Sequence, residues 1–210
     1  MNGVAHAPHF ESAERQAHAA RLGMWVFLSS ELLLFAGLFA LYAAGRVENP
    51  AAFRAGVEHA SKTIGSTNTA ILLASSTSVA ASLEFLQQKQ RRACVLALSL
   101  TMLLGAGFLA LKLYEYAGHF GDGIFPGGNG SYFAEHPIHG LALFWTLYFV
   151  STGLHAIHVT VGLIILGLSA RSVARGSIDE TRAYVLENAA LYWHLIDLIW
   201  IFLWPLYYLA

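Results

Sequence analysis

The sequence predicts an all-α fold, a polytopic membrane helix bundle of five transmembrane helices, from two observations. Hydrophobic residues make up 56% of the 210 residues and charged residues only 12%, about half of the ~25% that is usual in soluble domains. The apolar residues also form five runs, each long enough to cross a bilayer, which needs ~20 residues. After a polar N-terminal arm at residues 1–21, which is expected to be helical near residues 11–21, we place the spans at residues 22–44, 65–87, 93–117, 140–170 and 189–209.

Charge and cysteine content exclude several classes of function. A formal net charge of −1 leaves no basic surface for nucleic acid. The single cysteine, Cys94, excludes an intrachain disulfide and a cysteine-based zinc site. The arm has no apolar core of the kind found in signal peptides, so we predict no cleavable signal peptide. Its histidines, His6, His9 and His18, are expected on an exposed arm, with metal binding as the less favoured alternative.

The first two spans differ in character. Trp25 and Tyr42 stand near the ends of the first span, as interfacial aromatic residues do, and Glu31 lies near its centre. A loop is expected at residues 46–64, because Asn-Pro at 49–50 is a turn signal. The second span is rich in small and hydroxyl residues, a composition that favours close helix packing in lipid.

The third span follows a short basic turn at residues 89–92. Gly105 and Gly107 predict close contact with a neighbouring helix. Lys112 and Glu115 are three residues apart near the end of the span, which indicates a local ion pair or side chains that extend to the membrane surface. A loop rich in glycine is expected at residues 118–139, before the fourth span.

The basic residues predict the orientation of the bundle. Cytoplasmic loops carry an excess of Lys and Arg. The side that holds the N-terminus has eight such residues and the other side has three. The sequence therefore predicts a cytoplasmic N-terminus, a periplasmic C-terminus and a cytoplasmic turn at residues 89–92.

Ionisable residues in three spans are expected at one depth, just on the N-terminal side of the midplane. In the fifth span, LYWHLIDLIWIFLWPLYYL, two of them lie three residues apart and so share a helix face. Lipid cannot satisfy such groups, so they should face protein and find partners. We predict a buried polar cluster that is either a structural clamp or a proton-handling site: Glu31, His155, His158, His194 and Asp197.

Metal binding at these histidines is the less favoured alternative. His155 and His158 have the spacing of metal ligands, and so do His136 and His139. However, sixteen residues separate His139 from His155, ~24 Å along a helix, so the two pairs cannot converge. The sequence also lacks a haem-attachment motif, a P-loop and a dinucleotide fingerprint. We predict no metal, no cofactor and no catalytic residue in this chain.

Five stretches together resemble one family over residues 23–209. They are SSE at 29–31, NTAILLAS at 68–75, LKLYEY at 111–116, TGLHAIHVTVG at 152–162 and YWHLIDLIW at 192–200. The last two, in this order, are the most specific. The family that they resemble is subunit III of the haem-copper cytochrome c oxidases.

The resemblance implies a non-catalytic subunit of a proton-pumping terminal oxidase of aerobic respiration, in the bacterial inner membrane. Such a subunit packs against catalytic subunit I, contacts subunit II and further oxidase subunits, supports proton uptake and holds phospholipid. Haem and copper lie in the partner subunits. By resemblance, Glu31 falls on the family's buried glutamate, and the four other cluster residues fall on its histidine and aspartate positions.

The sequence departs from the family in three ways and leaves other functions open. Larger members have seven spans rather than five, many have an uncharged polar residue in place of Lys112, and the loop at residues 118–139 is longer than in compact members. The alternatives are subunit III of a bo-type quinol oxidase and an accessory protein of nitric oxide reductases. From a different class, the alternative is a free-standing membrane metalloenzyme with a histidine box. A transporter fits less well, since no inverted repeat is visible.

Overall fold

The computed structural model describes residues 12–209, which are mostly helical and contain no strand. The helices are α1 (Ala13–Glu48), α2 (Pro50–His59), α3 (Lys62–Gln87), α4 (Arg91–Gly121), α5 (Ser131–Glu135), α6 (Leu141–Ala174) and α7 (Ala183–Tyr208), and a 3₁₀ turn (Glu180–Arg182) precedes α7. Five of them, α1, α3, α4, α6 and α7, are long and apolar enough to cross a membrane. The predicted fold class is confirmed.

Several boundaries differ from those expected. The loop expected at residues 118–139 begins only after α4 ends at Gly121, and it contains α5. The first helix begins at Ala13, inside the predicted arm, because the Ser12 hydroxyl accepts a hydrogen bond from the Arg15 amide at 3.2 Å and caps it. His18 lies exposed on this helix, whereas His6 and His9 lie outside the described residues. The expected loop at residues 46–64 contains α2, which starts at Pro50, a residue whose fixed φ suits the first turn of a helix.

Helices α1 and α7 run in the same direction. Near their starts, the Arg21 guanidinium contacts the Glu187 carboxylate at 2.8 Å. Near their ends, the Tyr42 hydroxyl donates a hydrogen bond to the Leu206 carbonyl. We call the end of the bundle where α1 and α7 start, and where α3 joins α4, the N-terminal end. The opposite end, which carries α2, α5 and the last residues, is the C-terminal end.

The centre of the bundle is organised around Trp193 of α7. A methyl group added at Gly105 of α4 would lie 2.7 Å from its ring, and one added at Gly162 of α6 would lie 2.9 Å from it. The indole N–H donates to the Ser75 hydroxyl of α3 at 3.0 Å. The close approach expected at Gly105 is therefore present, but Gly107 has no neighbouring atom within 4 Å.

The five long helices are buried to different extents. The last helix, α7, is the most buried and α1 the least. Large apolar side chains of α1 point outward, such as Leu33 at 73% and Val26 at 65% exposure. Such faces suit lipid or another membrane subunit.

Candidate functional site

Glu31 and His158 form a hydrogen-bonded pair between α1 and α6. Oε2 of Glu31 lies 2.8 Å from Nε2 of His158, and both side chains are largely buried. The edge of Phe35 packs against the imidazole. Glu31 therefore has the histidine partner that burial in a membrane requires.

The pair holds one shared proton. Nδ1 of His158 lies 2.8 Å from the Leu154 carbonyl oxygen, which only accepts, so Nδ1 carries a hydrogen. Nε2 then either donates to a Glu31 carboxylate or accepts from a Glu31 carboxylic acid. The bond between the two side chains contains one proton in both cases, and the pair as a whole is neutral.

His155 does not join this pair, although it lies one helical turn away. Its side chain is fully buried between Phe108 of α4 and Trp200 of α7, with ring centroids 5.5 and 5.2 Å away. Neither of its ring nitrogens has a hydrogen-bond partner. His155 is thus held by aromatic packing at the centre of the bundle.

His194 and Asp197 of α7 both face Ser76 of α3. Nδ1 of His194 lies 2.7 Å from the Ser76 hydroxyl oxygen. The Asp197 carboxylate is 4% exposed and lies beside the same hydroxyl, but it makes no hydrogen bond of regular geometry. These three side chains form a second polar contact, between α7 and α3.

The predicted single cluster is therefore three separate groups. Glu31 and His158 lie at the same depth and face each other. The other residues of the predicted cluster lie on helix faces that point toward different neighbours. The second histidine pair is also divided: Nδ1 of His139 lies 2.9 Å from Oδ1 of Asn49, whereas His136 stacks on Tyr132. Both contacts are at the C-terminal end of the bundle.

A fourth polar group, which the sequence indicated only in part, surrounds Lys112 of α4. Its ammonium donates to the Glu115 carboxylate at 2.9 Å and to the hydroxyls of Tyr148 and Tyr208 at 2.9 and 2.7 Å. The Tyr208 hydroxyl in turn donates to Glu115 at 2.9 Å. The predicted ion pair is present. The alternative prediction, that these side chains extend to the membrane surface, is wrong, because the side chains of Lys112 and Glu115 are each only 2% exposed.

All three donors of the Lys112 ammonium are occupied, each by a different oxygen. The two tyrosines come from α6 and α7, so the group joins three helices. The only part of it that the sequence could reveal was the spacing of Lys112 and Glu115, since the tyrosines stand 36 and 96 residues further along the chain.

Comparison with known proteins identifies the family. The family model described as "Cytochrome c oxidase subunit III" matches residues 6–210 of this chain. The chain belongs to this family. It is similar to the "Quinol oxidase subunit 3" of Bacillus spizizenii, with 30% identity over 98% of this chain and 97% of that protein. It is also similar to the "Probable quinol oxidase subunit 3" of Staphylococcus aureus strain USA300, with 26% identity over 95% of this chain and 92% of that protein.

Membership makes the chain a subunit III of the haem-copper oxidase family, and so part of an oxidase complex. The stretches that carried the resemblance to subunit III meet at the polar contacts between helices. Glu31 of the first stretch bonds His158 of the fourth, and Trp193 of the fifth bonds Ser75 of the second. In this subunit III, residues of the stretches that resemble the family therefore form hydrogen bonds between different helices of the bundle.

Proposed function

We propose that the chain is the non-catalytic third subunit of a proton-pumping haem-copper terminal oxidase in aerobic respiration. Its role is to stabilise the catalytic subunit and to support proton uptake. The observation that carries the proposal is the family match over almost the whole chain. The arrangement of the interior polar residues agrees with it, since they connect helices.

The chain itself is proposed to hold no redox centre, and haem and copper are placed in the partner subunits. The five interior residues support this, because within residues 12–209 they form no group of three ligand atoms around one point. Both ring nitrogens of His158 are engaged, with Glu31 and the Leu154 carbonyl. A free-standing histidine-box enzyme would need these side chains to converge.

The Glu31–His158 pair is the proposed contribution to proton supply. It holds one proton in a neutral pair, and passing that proton to a neighbouring carrier leaves the Glu31 carboxylate charged, so a second proton must arrive from the cytoplasmic side to restore the neutral pair. By the excess of basic residues, we place the N-terminal end in the cytoplasm and the C-terminus in the periplasm. The pair then lies on the side from which the oxidase takes up protons.

The proposed partners are catalytic subunit I, subunit II and further oxidase subunits, in a bacterial inner membrane. The exposed apolar side chains of α1 provide a face for a membrane subunit or for bound phospholipid. No partner among nucleic acids is proposed, since the net charge is −1.

Quinol is the second candidate for the electron donor, beside the cytochrome c expected from the sequence. The relatives described above favour it, because both are named as subunits of quinol oxidases. Donor specificity is proposed to lie in other subunits.

Purification through a tag on this chain tests the proposal. In mild detergent we expect an oxidase catalytic subunit to co-purify, with a haem spectrum that disappears when harsher detergent removes the partners. Oxygen consumption by the intact complex, measured with reduced cytochrome c and separately with a quinol, identifies the donor. A stable monomer without a partner, or stoichiometric haem iron or copper on the isolated chain, would contradict the proposed role.

A further inference from the structure

Three potential metal ligands meet where the end of α2 contacts the end of α4. His59 is the last residue of α2, His119 lies in the last turn of α4, and Asp122 caps α4. One ligand atom of each residue lies within 4.8 Å of the other two. Within residues 12–209, this is the one such group of His, Cys, Asp and Glu side chains.

We propose that His59, His119 and Asp122 bind a zinc ion at the C-terminal end of the bundle. Two imidazole nitrogens, one carboxylate oxygen and a water molecule are a common four-coordinate set for zinc. Magnesium and calcium prefer all-oxygen sets, so they should compete poorly. This site replaces the sequence prediction of no metal ligand. Because zinc has no redox chemistry, the proposed zinc site is independent of the proposed oxidase role.

The distances suit such a site after small side-chain movements. In a tetrahedral site with metal–ligand bonds of about 2.1 Å, the ligand atoms are about 3.4 Å apart. Nε2 of His59 and Oδ2 of Asp122 are already 3.6 Å apart. These two side chains are 32% and 59% exposed and can rotate toward His119, which is fixed by packing on Trp145 at 4.7 Å.

The buried ligand lacks a partner in the protein. His119 is 6% exposed, and its Nε2 makes no hydrogen bond, although it lines an open pocket of about 300 Å³ together with His59 and Asp122. Leaving a buried polar atom unsatisfied costs ~1–3 kcal/mol. A metal ion in the pocket would satisfy this nitrogen.

The Asp122 carboxylate is the charge at the pocket that favours a cation, whereas the nearby Glu115 is already paired with Lys112. Oε1 of Glu115 also lacks a hydrogen-bond partner and lies 3.9 Å from Nε2 of His119. The Asp122 carboxylate is close enough to Tyr132 that it adds to the effect of burial and raises the pKa of that phenol. Two carboxylates therefore border the two imidazoles. A bound ion would tie α2 to α4, because one ligand comes from α2 and two come from the end of α4.

Zinc binding to the purified complex tests the site. The N-terminal arm carries three other histidines, so all variants are made in a background with His6, His9 and His18 changed to Gln. After a chelator wash, bound zinc is measured by equilibrium dialysis for the background protein, His59→Gln and Asp122→Asn. The matched control is His139→Gln, an exposed histidine at the same end of the bundle that lies outside the group.

We expect one zinc ion per chain in the background protein and in the control. Each ligand substitution should weaken binding by at least about tenfold, since loss of an outer-shell partner alone costs ~10–100-fold. Excess magnesium should leave zinc bound. Zinc should also slow hydrogen exchange at the end of α2, and this protection should vanish in His59→Gln. Equal binding by background and Asp122→Asn, equal loss in His139→Gln, or displacement by magnesium would each overturn the proposal.

Discussion

Neutralising Lys112 alone should destabilise the bundle far more than neutralising Lys112 and Glu115 together. Lys112→Met removes a buried cation and leaves the Glu115 carboxylate in an interior where its side chain is 2% exposed. Breaking one side of a buried ion pair costs ~3–5 kcal/mol. Glu115→Gln should cost a similar amount, because it leaves the ammonium without a counter-charge.

The double variant should be much more stable than the sum of its parts. Lys112→Met with Glu115→Gln contains no buried charge, and the Gln oxygen can still accept the hydrogen bond from Tyr208. The three hydrogen bonds of the ammonium are lost at about 1 kcal/mol each, but no buried charge remains to be desolvated, so the net loss is about 2 kcal/mol or less. The coupling between the two substitutions is then at least about 4 kcal/mol.

Thermal unfolding in detergent, followed by tryptophan fluorescence, measures the difference. For a chain of this size about 1 kcal/mol corresponds to ~2–4 °C, so each single variant should unfold about 6–20 °C below the wild type. The double variant should unfold within a few degrees of it. A chelator is included so that zinc at His119 does not contribute. The surface control Lys62→Met should have little effect, since Lys62 is exposed.

Additive effects would refute this reasoning. If the double variant unfolded as far below the wild type as the two single shifts combined, the charges would not compensate each other. If Lys112→Met alone had no effect, the ammonium would not be a buried charge.

Three further predictions concern the pair in α1 and α6, the packing of α4 and the orientation. Glu31→Gln should leave assembly intact and oxygen reduction present but slower, because Gln cannot pass on a proton. Glu31→Ala strands the His158 imidazole and should also cost ~1–3 kcal/mol of stability. Complete loss of oxygen reduction in an assembled Glu31→Gln complex would show that the residue is catalytic. Gly105→Ala should lower the unfolding temperature, because its methyl group would lie 2.7 Å from Trp193. Gly107→Ala should leave the unfolding temperature unchanged or raise it, because no atom lies within 4 Å of the added methyl group. The same shift in both variants would contradict the packing described. In a Cys94→Ala background, a membrane-impermeant thiol reagent should label Asn129→Cys from the periplasm and should not label Gln90→Cys from that side; the reverse pattern would invert the proposed orientation.

The sequence predicted the number and approximate position of the membrane helices because lipid imposes length and apolarity on each one. It indicated a helix near residues 11–21 but did not predict that this helix continues into the first span. At the junction between that helix and the span, Arg21 contacts Glu187 of α7, 166 positions further along the chain. Contacts of this kind leave no mark in the hydropathy of a single helix.

The sequence predicted the depth of the candidate site residues in the membrane but not which neighbouring helix each side chain faces. Distance along the helix axis placed Glu31 level with His158, and the two are bonded. The same argument placed His155 beside them, yet its ring lies between Phe108 and Trp200. Which face of a membrane helix meets which neighbour depends on the packing of all five helices, and both faces of α6 are apolar enough to be buried.

The partners of Lys112 become available at very different times during synthesis. Glu115 follows three residues later in the same helix, but Tyr208 follows 96 residues later. At ~5–20 residues per second, Tyr208 is made about 5–20 s after Lys112. During that interval α4 must enter lipid with a cation that costs ~2.5–3.5 kcal/mol when alone. Because Glu115 lies in the same helix, the Lys112 ammonium has a counter-charge as soon as α4 is made. The cost of placing Lys112 in lipid is therefore reduced before α7 and Tyr208 have been synthesised.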